Sequence, residues 1–290
     1  MKFRKSPNLQ AEVVHDNITG KHENVQGIDM ANLLTAYELY KLLIFDYRVK
    51  SLTGCVNFQL GSIEVRLQRR DIVGEVIQKW VCEWLARTRI DFVENPLPQR
   101  PPDIYLNPGN LRSDWLEIKA FNRNDSPRFS IAAFNFFLED TIRRPWHLDA
   151  DYLIFGYTMN TETGDLKIKD LWLKKIWEIT KPMSEYSLTV KTANGICKEI
   201  RPCTWYANRS GVKVFESLED FLSAFEEAIF QNPETRPKAA RWRNRFLKSY
   251  LKHYGCEINI PKWNEIKYKY SQCSKAMDFR KIKKQFVNLK

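Results

Sequence analysis

Two stretches of the chain decide the fold: PDIYL at residues 102–106 and WLEIKA at residues 115–120. Both are rich in apolar residues, and residues 107–110 between them (NPGN) are types that reverse a chain. We therefore predict an antiparallel hairpin. Because side chains alternate between the two faces of a strand, the apolar residues of the second stretch face a core, whereas Glu117 and Lys119 share the other face.

Pairing of these strands brings a third charged residue, Asp103, close to Glu117, with Lys119 one pleat further along. Two adjacent carboxylates supply the hard oxygen ligands that Mg²⁺ prefers. A metal ion held there can polarise a phosphodiester and lower the pKa of a bound water. The lysine can orient or deprotonate that water, or stabilise the negative charge of the transition state. The hairpin therefore gathers two candidate metal ligands, Asp103 and Glu117, and a candidate catalytic lysine, Lys119, although an acid-x-lysine triplet on a strand is also common on a solvated surface.

Composition indicates a polyanionic partner. The 290 residues carry a net charge of +11 and are 43% hydrophobic, which is enough apolar material for a core. Such an excess of positive charge favours nucleic acid as the partner, although a basic protein without that role has the same composition. The six cysteines include no C-x-x-C pair and no zinc-like spacing with histidine, so we expect reduced thiols. The first residues lack an apolar run, and we expect a soluble, cytoplasmic protein without a membrane partner.

Periodicity along the chain predicts an α/β fold with a mixed sheet flanked by helices. The predicted elements are a helix over 30–47 capped by Asp29, a hairpin over 55–67, a helix over 71–87, the hairpin over 102–120, a helix over 131–138, strands over 150–157 and 166–173, a hairpin over 187–200, and a helix from Ser217. We divide the chain into a polar N-terminal arm (1–28), a nuclease domain (29–232) and a basic, mostly helical C-terminal extension (233–290).

The helix over 71–87 offers a further acid for the metal. Glu75 is the positional candidate, although it lies away from the centre of the apolar stripe and a solvated glutamate fits it equally well. Glu83, at the edge of that stripe, is the next choice.

Basic residues in two places are candidates for DNA binding. Arg123 and Arg128 lie in the polar loop that follows Lys119, and Arg201 and Arg209 lie in loops or at strand ends. In the segment 236–254, which contains no acid, Trp242, Phe246, Tyr250 and Tyr254 recur at helical spacing, and Arg241, Arg245, Lys248 and Lys252 fall on the opposite face. That face favours phosphate binding. A merely solvated face and a membrane surface are the alternatives.

The hairpin resembles a known signature, that of the PD-(D/E)XK nucleases, here Pro102-Asp103 followed by Glu117-Ile118-Lys119. Longer words over roughly residues 30–232 are similar to the NgoBV-type group of type II restriction endonucleases. These words are WLEIKAF (115–121), LDADYLIFGYT (148–158), IKDLWLKKIWEI (168–179) and IRPCTWYANR (200–209). The basic segment beyond residue 232 lies outside the resemblance.

The resemblance implies a PD-(D/E)XK core and a Mg²⁺-dependent homodimer that cuts double-stranded DNA at a short palindrome, with GGNNCC as the site. It implies that Asp103 and Glu117 are the metal ligands and Lys119 is the catalytic lysine. A cognate DNA methyltransferase is expected in the same system, although not as a physical partner.

Two other functions fit the same residues: a repair or recombination nuclease that recognises DNA structure, and a basic nucleic-acid-binding protein whose acidic pair is incidental. A Ser/His/Asp hydrolase is disfavoured because none of the four histidines lies in a recognisable motif.

Overall fold

A computed structural model describes residues 33–97, 100–207 and 213–271 of the chain. The predicted N-terminal arm, the predicted helix cap Asp29 and the candidate Arg209 lie outside the described residues. All described residues belong to one structural unit.

Helices and strands alternate along the chain, as predicted for an α/β fold. The helices are α1 (Ala36–Lys41), α2 (Val73–Arg87), α3 (Phe134–Arg143), α4 (Leu218–Gln231), α5 (Arg236–Tyr254), α6 (Trp263–Ile266) and α7 (Tyr268–Ser271). The strands are β1 (Thr53–Gly54), β2 (Val56–Leu60), β3 (Ile63–Leu67), β4 (Val93–Glu94), β5 (Ile104–Tyr105), β6 (Trp115–Asn122), β7 (Ala132–Ala133), β8 (Asp151–Met159), β9 (Leu166–Lys174), β10 (Val190–Ala193) and β11 (Ile196–Ile200).

A six-stranded mixed sheet in the order β1-β9-β8-β6-β5-β4 forms the centre of the fold. The predicted hairpin over 102–120 is confirmed as β5 paired with β6, with Ile104 opposite Leu116. β6 and β8 are parallel, whereas the other strands of this sheet pair antiparallel. The parallel pair lies inside the sheet, where both faces are covered.

Helices cover the sheet on both faces, and the side chains of β6 divide between two cores. Leu116 and Ile118 pack in one core with the apolar stripe of α2. Trp115 and Phe121 pack in the other core, which includes aromatic side chains of α3, α4 and α5. Glu117 and Lys119 belong by alternation to this second face, so they lie between the sheet and a covering layer.

The first residues of two helices, α1 and α3, differ from the sequence prediction. α1 begins at Ala36, because Thr35 forms a capping box: its hydroxyl accepts from the backbone N–H of Glu38 (3.2 Å) and the Glu38 carboxylate accepts from the Thr35 N–H (2.9 Å). The prediction of a helix over 131–138 was wrong for its first residues. Ala132 and Ala133 pair as β7 with β11, and α3 starts only at Phe134. The distant strand β11 overrides the local helical pattern here.

The basic helix α5 is part of the main core. Trp242 and Phe246 are fully buried, and the ring of Trp242 lies 5.4 Å from that of Phe225 on α4. The described residues beyond 232 therefore share the core of the preceding ones and do not form a separate body.

No helix within the described ranges is long and apolar enough to cross a membrane. The cysteines of the described part, Cys55, Cys82, Cys197, Cys203 and Cys256, form no disulfide with one another.

Candidate active site

Asp103 and Glu117 are brought together by the β5–β6 hairpin. Asp103 immediately precedes β5, and Ile118, beside Glu117 on β6, donates its backbone N–H to Asp103 Oδ2 at 2.7 Å. This bond fixes the Asp103 carboxylate against the strand that carries Glu117. The predicted pairing of the two acids across the hairpin is therefore present in the structure.

Lys119 lies between the two carboxylates. Its Nζ is 2.7 Å from Glu117 Oε2 and 3.7 Å from Asp103 Oδ2. The side chain of Glu117 is 5% exposed, and those of Asp103 and Lys119 are each 18% exposed. The three side chains predicted to form the site thus share one largely buried cluster.

Burial and mutual repulsion set the protonation of this cluster. Burial, together with the charge of Glu117, raises the pKa of Asp103 to about 6, although Lys119 and the Ile118 N–H oppose the shift. Burial alone would lower the pKa of Lys119, but the charges of Glu117 and Asp103 outweigh it and raise the pKa to about 12. Lys119 is therefore an ammonium at neutral pH, and one such cation does not fully compensate two buried carboxylates.

One oxygen of the cluster has no hydrogen-bond partner among the described residues. Glu117 Oε1 is buried and accepts no hydrogen bond from them. A buried charged oxygen without a donor costs free energy unless another group completes its coordination. Within the described residues no group of three or more His, Cys, Asp or Glu side chains is arranged to hold a metal. Mg²⁺ nevertheless binds proteins through one or two carboxylates and retains several waters, so the Asp103–Glu117 pair fits a divalent cation.

The cluster opens into a cleft of about 450 Å³, called here the carboxylate cleft. Its other lining residues include Arg100, Ser130, Phe136 and Glu199. Sequence reasoning missed Arg100 and Glu199. Arg100 directly precedes Pro101-Pro102-Asp103, so its position in the chain was an available signal. Glu199 comes from β11, far away in sequence, and is paired with Arg201 and with Lys191.

The predicted third acid does not join the cleft. Glu75 and Glu83 lie exposed on α2. That helix packs against the face of β6 that carries Leu116 and Ile118, which is opposite to the face of Glu117 and Lys119. Glu83 instead pairs with Arg87 at 2.7 Å. The structure thus brings neither glutamate to the carboxylate pair, because α2 covers the other side of the sheet.

Arg123 occupies a different environment from the one expected of a DNA contact. Its Nε donates to Asp170 Oδ2 at 2.6 Å, and its guanidinium lies 4.0 Å from the centre of the Tyr206 ring and 5.3 Å from that of Trp172. We call Arg123 with Phe121, Trp172 and Tyr206 the arginine cage. This enclosure favours a structural role for Arg123 over the predicted DNA contact.

Of the remaining basic candidates in the described residues, Arg201 is half-buried and pairs with Glu199, whereas Arg128 and the four on α5 are exposed. Arg128 lies close to Ser130 at the rim of the carboxylate cleft, and its carbonyl accepts from Arg201. Arg241, Arg245, Lys248 and Lys252 form an exposed row on α5, called here the basic ridge. Arg245 comes within 3.8 Å of Glu139, a weak exposed contact. The prediction that these four share one solvent-facing side of a helix is confirmed, and their contact with DNA stays a prediction.

The family model of the NgoBV restriction endonucleases matches residues 33–270 of the chain. The chain belongs to the NgoBV restriction endonuclease family. Type II restriction enzyme NlaIV of Neisseria lactamica is 42% identical over 240 residues, which cover 82% of this chain and 98% of that protein. Type II restriction enzyme NgoBV of Neisseria gonorrhoeae is 35% identical over 164 residues, covering 57% of this chain and 93% of that protein.

Comparison with solved structures supports the same family. The NlaIV restriction endonuclease structure matches with a TM-score of 0.78 at 42% identity, over 82% of this chain and 96% of that one. Like its relatives, this family member is a type II restriction endonuclease, a site-specific nuclease that acts on double-stranded DNA. Membership favours this activity over the repair nuclease and the non-catalytic binding protein. The match to residue 270 corrects the expectation that the resemblance ends near residue 232.

Proposed function

We propose that this endonuclease is Mg²⁺-dependent and that Asp103, Glu117 and Lys119 form its hydrolytic centre. Type II restriction endonucleases generally need a divalent metal. The observation that carries the proposal is the buried Glu117 Oε1, which has no hydrogen-bond partner in the described part of the chain and lies beside a second carboxylate in an open cleft. Asp103 and Glu117 would hold the metal, which when bound polarises the scissile phosphodiester and activates a water.

Lys119 acts as a cation in this proposal. With its pKa at about 12, removing its proton near neutral pH is strongly unfavourable. Of the roles open to the lysine, stabilising the negative charge that develops on the phosphate therefore fits best, with orientation of the attacking water through an N–H donor as a compatible role. The contacts to Glu117 and Asp103 hold the ammonium at the cleft in advance of substrate binding.

Arg100 is proposed as a second cation for the substrate. It is exposed and lines the same cleft as the carboxylate pair. A guanidinium forms two parallel hydrogen bonds to a phosphate. Arg100 is therefore placed to bind the DNA backbone next to the bond that is cut.

The basic ridge and Arg128 are proposed as contacts to the DNA phosphates away from the cut. Exposed lysines and arginines contribute affinity that falls with salt and position the duplex without reading its sequence. The ridge is supported by its exposure and by the absence of any Asp or Glu from the α5 segment, residues 236–254.

We further propose a homodimer that cuts at a short palindrome, GGNNCC. Each chain contributes one carboxylate cleft of this kind, and cutting both strands needs two centres related by the two-fold axis of the site. Guanines are read in the major groove by Arg or Lys. A methyltransferase that protects the same sequence is expected in the same system.

Substitution of Asp103 tests the proposal directly. We expect Asp103→Ala to lower Mg²⁺-dependent cleavage by at least about 10³-fold, because one of two metal ligands is lost, while DNA affinity stays within a few-fold. Asp91→Ala, an exposed acid outside the cleft, is the control. Wild-type digestion of a plasmid, followed by sequencing of the ends, should give discrete fragments ending within GGNNCC. Cleavage that survives Asp103→Ala, or ends at unrelated sequences, would contradict the proposal.

A further inference from the structure

A second cavity lies beside the carboxylate cleft and shares walls with it. Its volume is about 820 Å³, which falls in the range of sites that bind small molecules. Ser126 and Pro127 line this cavity, whereas Ser130 and Ile131, in the same loop, line the carboxylate cleft. The loop 126–131 therefore separates two openings, of which the function proposed above uses only one.

The β10–β11 hairpin also contributes to both openings. Thr189, which precedes β10, and Pro202, which follows β11, line the second cavity, whereas Glu199 of β11 lines the carboxylate cleft. The side chain of Arg201 donates to the carbonyl of Arg128 and so connects the hairpin to the loop. A DNA strand that leaves the cleft across this loop reaches the second cavity next.

Hydrogen bonds fix the wall that carries Lys181. The Thr189 hydroxyl accepts from the backbone N–H of Lys181 (3.1 Å) and donates to its carbonyl (2.7 Å). Cys203 donates its backbone N–H to the carbonyl of Ile179 at 2.8 Å, which fixes the segment that follows β11. The cavity is thus formed before any ligand enters, which reduces the entropy cost of binding.

Aromatic rings form another wall. The ring of Trp263, which opens α6 and is half-buried, is stacked on that of Tyr270, with 6.0 Å between centres and 17° between planes. Tyr270 is buried, and its hydroxyl donates to Asp220 Oδ2 at 2.5 Å. A fixed aromatic ring at a cavity is a surface on which a nucleic acid base stacks. We call this opening the lysine–aromatic cavity, after Lys181, Lys267, Trp263 and Tyr270.

The lysine–aromatic cavity is positively charged. Lys181 and Lys267 line it, and no Asp or Glu of the described residues does. Within residues 33–97, 100–207 and 213–271 neither lysine pairs with a carboxylate, and Lys267 Nζ donates instead to Asn264 Oδ1 at 2.9 Å. Two ammonium groups without a counter-ion attract an anion, and phosphate is the anion that this endonuclease meets on its substrate.

We propose that the lysine–aromatic cavity binds one unpaired nucleotide of the DNA, with its base against Trp263 and its phosphate against Lys181 and Lys267. Each half of the ligand matches one chemical property of the walls: bases stack on aromatic rings, and lysines bind phosphates as point charges. The volume admits a nucleotide, but a base pair within a duplex does not fit it. The nucleotide is therefore unpaired, either at a strand end or extruded from the duplex.

The inference deepens the proposed function and rests on it in one respect: the ligand is part of the DNA that the carboxylate cleft cuts. It does not depend on the metal or on Lys119. Its tests are therefore carried out in EDTA, where binding is measured without cleavage.

Binding of 2′-deoxyadenosine 5′-monophosphate to the full chain tests the chemistry of the cavity. Isothermal titration calorimetry should show saturable binding, and deoxyadenosine and inorganic phosphate should each bind at least about tenfold more weakly, because each supplies half of the contacts. Lys181→Ala, Lys267→Ala and Trp263→Leu should each weaken binding at least about fivefold. Lys169→Ala is the control, because Lys169 is an exposed lysine of β9 outside the cavity.

Three outcomes would overturn the proposal: no saturable binding, phosphate binding as tight as nucleotide binding, or equal affinity in the lysine variants and the wild type. Circular dichroism shows whether Trp263→Leu is folded. If it is not, Lys181→Ala and Lys267→Ala decide the result alone, since neither lysine lies in the core.

Photo-cross-linking identifies the source of the nucleotide in DNA. A duplex that carries 5-iododeoxyuridine at one position is bound to the wild type in EDTA and irradiated, and mass spectrometry locates the attachment. A cross-link to Trp263 from an internal position, stronger when that base is mismatched, identifies an extruded nucleotide. A cross-link from a terminal position alone identifies a strand end. Excess 2′-deoxyadenosine 5′-monophosphate should suppress either one. If no position of the duplex cross-links to the cavity, the assignment to a DNA nucleotide fails.

These results are independent of the hydrolytic centre. Cleavage that survives Asp103→Ala, with the Trp263 cross-link retained, would remove the proposed centre and keep the nucleotide site. Loss of cleavage in Asp103→Ala, without nucleotide binding by the wild type, would remove only the nucleotide site.

Discussion

The carboxylate cleft and the arginine cage bury charge on neighbouring positions of one segment, in opposite ways. In the cleft, two carboxylates share the ammonium of Lys119, and no described residue donates a hydrogen bond to Glu117 Oε1. In the cage, the guanidinium of Arg123 has Asp170 as its counter-ion and aromatic rings around it. The buried charge is incompletely compensated in the carboxylate cleft and nearly fully compensated in the arginine cage.

This difference distinguishes a ligand-binding site from a structural feature. An incompletely compensated buried charge destabilises the folded protein, and it is useful only where a ligand completes it. A compensated charge stabilises its surroundings and has little left to offer a ligand. We therefore expect changes in the cleft to alter cleavage and changes in the cage to alter stability.

After the loss expected from Asp103→Ala, the largest effect is expected from Lys119→Met, which keeps the length of the side chain and removes its charge. Cleavage should fall by about 10²–10³-fold, the usual consequence of losing one group that stabilises transition-state charge. Lys174→Met is the matched control, because Lys174 also pairs with a glutamate (2.9 Å to Glu178) but lies outside the cleft. Single-turnover cleavage rates measure the effect. Rates within a few-fold of wild type for Lys119→Met would remove the lysine from the mechanism.

An intermediate effect is expected from Arg123→Ala, measured as stability. Loss of the guanidinium leaves Asp170 and the cage rings without their partner, so the free energy of unfolding should fall by about 2–3 kcal/mol. Urea denaturation measures it. The salt dependence of DNA binding should not change.

Arg245→Ala on the basic ridge is expected to show the opposite pattern to Arg123→Ala: it should change DNA binding and leave stability unchanged. Its stability should stay within about 0.5 kcal/mol of wild type, while the slope of log affinity against log salt falls by about one. A reversed pattern, with Arg123→Ala changing the slope and not the stability, would return Arg123 to the DNA interface.

Among the buried charges, the smallest effect is expected from Asp103→Asn in metal-free protein. The pKa of Asp103 is raised to about 6 in the folded protein, so ionising this group disfavours folding. The penalty is complete above pH 6 and disappears below the unfolded value near 4. Asp103→Asn should therefore stabilise the protein by roughly 1–3 kcal/mol at pH 7.5, with the gain shrinking as the pH falls from 6 to 4. Thermal unfolding in EDTA across this range measures it, and equal melting temperatures at pH 7.5 would show that the carboxylate is already compensated.

Local sequence patterns predicted much of the fold and the centre of the site. The β5–β6 hairpin followed from its turn residues and from alternation, and the same rule placed Glu117 and Lys119 on one face. Helical spacing predicted α2, and a polar cap predicted the start of α4 at Ser217. These features depend on residues close together in the chain.

The features that local patterns did not foresee share a different property. Glu75 was a candidate metal ligand, with a solvated glutamate as the alternative, and α2 packs on the other side of β6. Arg123 was predicted to contact DNA, and its enclosure by Asp170 and Tyr206, both distant in sequence, was not foreseen. Residues 132–133 became a strand because β11 pairs with them. In each case a distant segment decided the outcome.

The sequence by itself determined which side chains of β6 share a face, the pairing of the two carboxylates across a short turn and the amphipathic character of α5. The tertiary structure alone decided which face each helix covers, which arginine is enclosed and which segments line each cavity. The physical reason is that covalent geometry fixes which neighbouring side chains share a face, whereas the partner that each face meets depends on the packing of segments far apart in the chain.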